Sequence, residues 1–386
     1  MAVSRYTISA PQTINFGVGC LDSIGEESRK LGAKRGLIVT DPIVCKLGVS
    51  EQIGLQLSRV GISVEVFAES EPEPTFPTLN TVAERLRRDS FDLLIGVGGG
   101  SSLDTAKGLS VLCAHGGRGQ DYIGVGKVPG PGIDMILVPT TAGTGSEVTN
   151  IAIFGDPDQE LKLGLVSPYL LARVAVVDPV LTYTCPPKVT ATAGIDALVH
   201  AVECYTSVRA NAYTDALALA AVKLIVKSLK TAVHDGSNQA ARNQMAEGSL
   251  LAGIAFGNAG VAAVHALAYP LGARFHVPHG LANGVLLPYV LECNLPAALD
   301  KYACMAEALG EHTHGLPARE AAEYGLGVIR TLCKDIGIPE RLRDLGVPEA
   351  ALPEMAVATM GVTRLLANNP KQLTLDDVLS IWKSAW

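Results

Sequence analysis

The strongest constraint on this chain is a change of texture near residue 179. Before it, short runs rich in β-branched residues at 36–41, 63–67, 93–97, 135–138 and 174–177 alternate with stretches of helical spacing at 51–60, 79–88 and 103–113. Runs of that length and composition read as strands. Helices between strands make the crossovers of a parallel sheet with helices on its faces, and such sheets place ligands beyond the carboxyl ends of their strands. After Asp178-Pro179 strand-like runs nearly vanish, and Ala-rich helical stretches such as 213–233 and 299–309 take over. Pro179, Pro186 and Pro187 punctuate the change, and Thr190 or Thr192 stands ready to cap the next helix. A chain of 386 residues exceeds what one core usually supports. The expected organisation is an α/β domain over residues 1–185 and an all-helical domain over residues 186–386.

Composition removes several classes of function. Apolar residues make up 48% of the chain and charged residues 18%, so it buries a large core and is not disordered. The net charge of −7 comes from 31 basic and 38 acidic residues without a basic block, so no nucleic-acid partner is expected. Eight Cys show no C-x-x-C pair, and the first residues lack the apolar core of a signal peptide. Reduced thiols in a cytoplasm are expected. Residues 248–273 carry no Asp, Glu, Lys or Arg, but Asn258, His265, Tyr269 and Pro270 with several Gly make them a buried helix plus loop rather than a membrane span.

Two polar loops follow strands. In Ile95-Gly-Val-Gly-Gly-Gly-Ser-Ser-Leu-Asp-Thr-Ala-Lys107 a strand passes through glycines into a helix. Gly98, Gly99 and Gly100 let backbone N–H groups approach phosphate oxygens, the helix start adds partial positive charge, and Ser101 and Ser102 add hydroxyls. A tight strand-to-helix turn would use the same residues. The spacing Gly96-x-Gly98-x-x-Ser101 departs from the usual dinucleotide fingerprint, whose acidic residue ends a strand ~20 residues later. Here the acidic strand end lies upstream at Asp41, which serves either a ribose or as a helix cap before Pro42. Pro139-Thr-Thr-Ala-Gly-Thr-Gly-Ser-Glu147 is the second loop, lined with hydroxyls at another strand end.

The helical half holds a ligand set. Asp196 and His200 are four apart in a helical stretch, so both side chains leave one face. His265 and His279 sit in apolar surroundings where an unpartnered imidazole is costly. One carboxylate and three imidazoles around a divalent ion leave a positive centre suited to polarising an alcohol or carbonyl oxygen. Satisfied core histidines and a capping Asp are the plain alternatives for each residue taken singly. Fe2+ and Zn2+ both accept such donors.

Gly98-Gly-Gly-Ser101 with Asp104 and Lys107, Pro139-Thr-Thr-Ala-Gly-Thr144 with Ser146-Glu147, Asp196-Ala-Leu-Val-His200 with Glu203, and His265 through Pro278-His-Gly280 occur in that order over almost the whole chain. Together they resemble the iron-containing, or group III, alcohol dehydrogenases. The resemblance implies an N-terminal α/β dinucleotide-binding domain and a C-terminal helical metal domain, a dehydroquinate-synthase-like fold. It puts the metal on Asp196, His200, His265 and His279. It puts the nicotinamide cofactor on Asp41, the glycine loop with Ser101 and Ser102, Thr140, Thr141, Thr144 and Lys162, with Asn150 and Phe256 on the substrate side. Many members carry a second His four residues after the third ligand, where this chain has Tyr269.

The expected activity is hydride transfer between a small alcohol, or its aldehyde or ketone, and NAD. Asp41 accepts ribose hydroxyls and repels a 2′-phosphate, which selects NAD over NADP. A maleylacetate-type reductase and a lyase using NAD transiently are the alternatives; few basic residues flank the metal motifs to hold the lyase's phosphorylated substrate. His276, three residues before His279, is the candidate proton acceptor because imidazole titrates near working pH and the Tyr269 phenol does not. A homodimer or higher homo-oligomer is expected, with the N-terminal strand region at residues 6–16 pairing with its copy.

Overall fold

The computed structural model describes residues 5–158 and 161–386. The strands are β1 (Thr13–Phe16), β2 (Arg35–Val39), β3 (Ser63–Phe67), β4 (Leu93–Gly98), β5 (Gly124–Val125), β6 (Asp134–Pro139), β7 (Ile151–Asp156), β8 (Leu161–Val166) and β9 (Val174–Val177). Six of them form a sheet in the order β1-β9-β6-β4-β2-β3, parallel at every pairing. Helices α1 (Ile24–Lys30), α2 (Pro42–Lys46), α3 (Val49–Arg59), α4 (Phe76–Leu86) and α5 (Gly100–His115) connect them.

Alternation along the strands sorts side chains to two cores. Leu37, Leu94, Met135 and Leu137 pack with Phe76, Leu79 and Leu103 of α4 and α5. Ile38, Ile95, Ile136 and Val174 pack with Ile24, Ile53 and Leu57 of α1 and α3. A sheet buried on both faces is why its strands read as continuous apolar runs, each buried Leu or Ile contributing roughly 2 kcal/mol. The five expected strands and three expected helices are present within a few residues of their ends. β5, β7 and β8 were not foreseen: they form a second sheet, order β5-β8-β7, with an antiparallel β7–β8 pair. Their partly exposed residues lack the dense apolar run of the central strands.

The described residues divide into two compact units, Ser9–Thr184 and Cys185–Trp386, the latter joined by residues 5–8. The second unit is helical: α6 (Pro187–Thr206), α7 (Ala212–His234), α8 (Gln239–Ala259), α9 (Ala263–Phe275), α10 (His279–Asn294), α11 (Leu299–Ala308), α12 (Ala318–Asp335), α13 (Leu352–Met360), α14 (Thr363–Leu366) and α15 (Leu375–Ala385). Helix α6 starts a turn earlier than the capping threonines suggest, with Pro187 in its first turn where a missing N–H is harmless. Thr190 lies inside it and accepts a hydrogen bond from buried Arg242 at 2.7 Å. At the start of α10 a Cβ on Gly280 would meet the Thr192 carbonyl oxygen at 2.1 Å, so only glycine lets this helix approach α6.

Among the described residues no single helix is long and apolar enough to cross a membrane. Helices α8 and α9 meet the length and composition test only as a pair bent by 100°, and most of their residues are buried. All eight Cys are free.

Candidate metal centre and nucleotide loops

Helix α6 presents Asp196, His200 and Glu203 on one stripe, at spacings of four and three. Helix α9 brings His265 in its first turn, and α10 begins with His279. Ligand atoms of Asp196, His265 and His279 all lie within 4.8 Å of one another. His200 joins them: its Nε2 is 3.0 Å from His265 Nε2, and its Nδ1 is 4.0 Å from Asp196 Oδ2. Asp196 Oδ1 is 3.7 Å from Nε2 of both His265 and His279. Asp196, His200 and His265 are buried, while the His279 side chain keeps 31% of its exposure, leaving the group open on that side.

Electrostatics hold the set together. Burial pushes the Asp196 carboxyl up, but the facing imidazoles of His200, His279 and His265, with a hydrogen bond from Asn283, outweigh it and leave the carboxyl below its ordinary value. Asn283 Nδ2 donates to Asp196 Oδ1 at 2.6 Å and lies 3.2 Å from His279 Nε2. Phe256 stacks on His200, ring centroids 4.2 Å apart, and Tyr269 lies 6.3 Å from the His279 ring. One carboxylate and three clustered imidazole nitrogens suit a first-row divalent cation, and the His265 ring nitrogen remote from the cluster sits 2.6 Å from the Glu203 carboxylate, the support that ligating histidines usually have.

The α/β unit builds a second candidate site at the carboxyl ends of its central strands. β2, β4 and β6 are neighbours, with Val39 opposite Gly96 and Gly98 opposite Pro139, so Asp41, the glycine loop and the threonine loop leave adjacent strand ends. Gly98 has φ of +147°, and a Cβ there would sit 2.6 Å from Ser102 Oγ and 3.2 Å from Asp41 Oδ2. Helix α5 opens at Gly100 with no side-chain cap at Gly99, leaving its first amides to an anion. Gly99 and Gly100 face Thr141 and Thr144, and the Thr140 amide donates to the Gly98 carbonyl at 2.9 Å. Asp41 Oδ1 caps α2 by accepting from the Ile43 and Val44 amides, while Oδ2 is 3.5 Å from Ser102 Oγ. The cap and the approach to the glycine loop thus use different oxygens.

Charges are buried beneath these loops. Asp104 accepts from Ser146 Oγ at 2.6 Å and from the Ile153 amide at 2.9 Å. Lys107, fully buried, donates to Thr149 Oγ1 and to the Ile151 carbonyl. One face of α5 therefore braces the segment following the threonine loop. Burial pushes Lys107 down to about 8 and the nearby Glu147 carboxyl up to about 7.

Residues 11–179 match the family of iron-containing alcohol dehydrogenases, and residues 190–386 match the C-terminal part of the Fe-containing alcohol dehydrogenase family. The chain belongs to the iron-containing alcohol dehydrogenase family. It is 44% identical to long-chain-alcohol dehydrogenase 1 of Geobacillus thermodenitrificans (strain NG80-2), over 100% of this chain and 98% of that protein. It is 35% identical to the NAD-dependent methanol dehydrogenase of Bacillus methanolicus, over 97% of this chain and 98% of that one. A solved 1,3-propanediol oxidoreductase superposes with a TM-score of 0.96 at 39% identity, over 99% of this chain and 100% of that chain. The enzyme is thus an oxidoreductase, an alcohol dehydrogenase or aldehyde reductase, with the α/β and helical architecture its motifs predict.

Asp196, His200, His265 and His279 come together in the helical unit. Asp41, Gly98, Gly99, Gly100, Ser101, Ser102, Thr140, Thr141 and Thr144 come together in the other. Lys162, on β8, reaches the glycine loop through Glu73: its Nζ pairs with Glu73 Oε1 at 2.9 Å, and the Glu73 amide donates to Ser101 Oγ. Glu73 was missed; it lies in the proline-rich stretch Glu71-Pro-Glu-Pro-Thr-Phe-Pro77 and has φ of +54°, which no sequence pattern announces. His276 is exposed and left-handed, φ +53°, its amide closing α9 on the Gly272 carbonyl. Asn283 was also missed, although its place four residues after His279 on α10 put it on the same helix face.

Proposed function

We propose that the enzyme transfers a hydride between a small alcohol, or its aldehyde or ketone, and NAD, with residues 1–185 forming the nicotinamide-dinucleotide domain and 186–386 the catalytic metal domain. Asp196, His200, His265 and His279 hold one divalent ion, Fe2+ in keeping with the family and Zn2+ as an acceptable substitute. When bound, such an ion supplies Lewis-acid polarisation of the alcohol or carbonyl oxygen. The observation that carries this is the convergence of four ligand-type side chains from three helices in a buried setting.

The remaining work falls to the chain. Asp196 contributes the negative charge that makes three neutral imidazoles a stable cation site, and Asn283 fixes the direction of that carboxylate. The open N-terminus of α5 with Ser101 and Ser102 takes the pyrophosphate, Thr140, Thr141 and Thr144 line it, and Lys162 adds a cation. Asp41 Oδ2 accepts the ribose hydroxyls. His276, exposed and three residues before the ligand His279, takes the proton leaving the alcohol and passes it to water.

Eight free thiols fit a cytoplasmic protein. Among the described residues strand β1 is hydrogen-bonded to a neighbour on one side only, which supports pairing of copies through that edge into a homodimer or larger assembly. Metal analysis followed by anaerobic assay with NAD across small alcohols and aldehydes tests the proposal; full turnover after complete removal of metal would contradict it.

A further inference from the structure

Glu203 follows Asp196 by seven residues and His200 by three on the inward stripe of α6. Only 2% of it is exposed, and a carboxylate so buried is costly unless its lone pairs are used. They are spent on the start of one helix: Glu203 accepts from the Ala262 amide at 3.0 Å, the Val264 amide at 2.6 Å and His265 Nδ1 at 2.6 Å. Helix α9 has no side-chain cap of its own at Ala262, so its first turn is capped from α6.

An ionised carboxylate only accepts hydrogen bonds, so His265 Nδ1 must carry the ring proton and Nε2 must keep its lone pair. Nε2 is the atom that faces His200 Nε2 at 3.0 Å and Asp196 Oδ1 at 3.7 Å. The opposite tautomer would point an N–H at the place where the ligand atoms converge. Oε1 accepts from the Val264 amide, and Oε2 accepts from both the Ala262 amide and His265 Nδ1, so the cap and the ring together use both oxygens of a carboxylate.

We propose that Glu203 is a positioning residue of the metal centre, setting the Nδ1–H tautomer and the ring direction of His265 while its carboxylate anchors the first turn of α9. This rests on the assignment of His265 as a ligand. Two measurements test it. In metal-free wild-type protein labelled with 15N-histidine, with the His265 signal identified by its loss in His265→Gln, we expect the proton on Nδ1; a proton on Nε2 overturns the inference without any change at Glu203. Glu203→Gln leaves one oxygen for three donors, so an N–H of the new amide opposes either the Val264 amide or the ring together with the Ala262 amide, and we expect Zn2+ affinity, measured by chelator competition, to fall about 10- to 100-fold. Glu203→Asp restores the charge and should bind Zn2+ more tightly than Glu203→Gln. Zn2+ affinity within twofold of wild type in Glu203→Gln, or no gain in Glu203→Asp, overturns the inference. Wild-type protein that takes up no Zn2+ instead contradicts the ligand assignment itself, a result distinct from wild type and variant binding equally.

Discussion

Asp41 divides its two oxygens between tasks that usually compete. Oδ1 caps α2, and Oδ2 lies beside Ser102 at the glycine loop. Glycine at an N-cap costs only a few tenths of a kcal/mol relative to Asp, so Asp41→Gly removes the charge at little expense to the helix. We expect its ratio of kcat/KM for NAD over NADP to fall about tenfold or more from the wild-type value while its melting temperature stays within about 2 °C. Equal use of both cofactors by the wild type would remove Asp41 from cofactor choice. His276 offers a similar separation, because Asn tolerates its left-handed backbone. His276→Asn should keep metal content and NADH affinity yet lower alcohol oxidation by about tenfold or more. An unchanged rate would make water the acceptor. The cluster of Asp196 with the histidines was legible because Asp196 and His200 share a helical period; Glu73 was not, since its contacts depend on a backbone angle and on a lysine from a distant strand.

Helix α5 joins the two candidate cofactor loops: it starts at Gly100, the last of the glycines, and one turn further Asp104 holds Ser146 of the threonine loop and, with Lys107, the segment after it. This brace leaves Glu147 buried with one carboxylate oxygen unpartnered. Burial raises its folded pKa from 4.5 to about 7, so between those values the folded chain binds a proton that the unfolded chain does not. Its stabilising contribution is therefore complete below pH 4.5 and is lost as pH rises through 7. Glu147→Gln cannot ionise, so its stability relative to wild type should be greater at pH 8 than at pH 5 by on the order of 2 kcal/mol, read from denaturant midpoints. A difference independent of pH would mean that Glu147 does not change its protonation on folding in this range. The central strands and their helices could be read from sequence because burial on both faces writes long apolar runs; β7 and β8, only partly buried, left a weaker pattern.

At the scale of the whole molecule, the chain combines an α/β unit whose loops emerge at neighbouring strand ends with a helical unit that concentrates one carboxylate and three imidazoles. The order of motifs was enough to assign both halves, since each motif sits in the kind of element its spacing implied. The proposed assembly should appear as a mass of at least two chains in light scattering, and a monomer at working concentration would exclude it. The central claim is that one cation on Asp196, His200, His265 and His279 supports hydride transfer to NAD. Its most direct test is to measure divalent metal per chain and NADH formation together, in anaerobically prepared wild type and in His265→Ala. We predict about one ion per wild-type chain, with both metal and turnover lost in the variant; a variant that keeps its full complement of metal and full turnover would contradict the account.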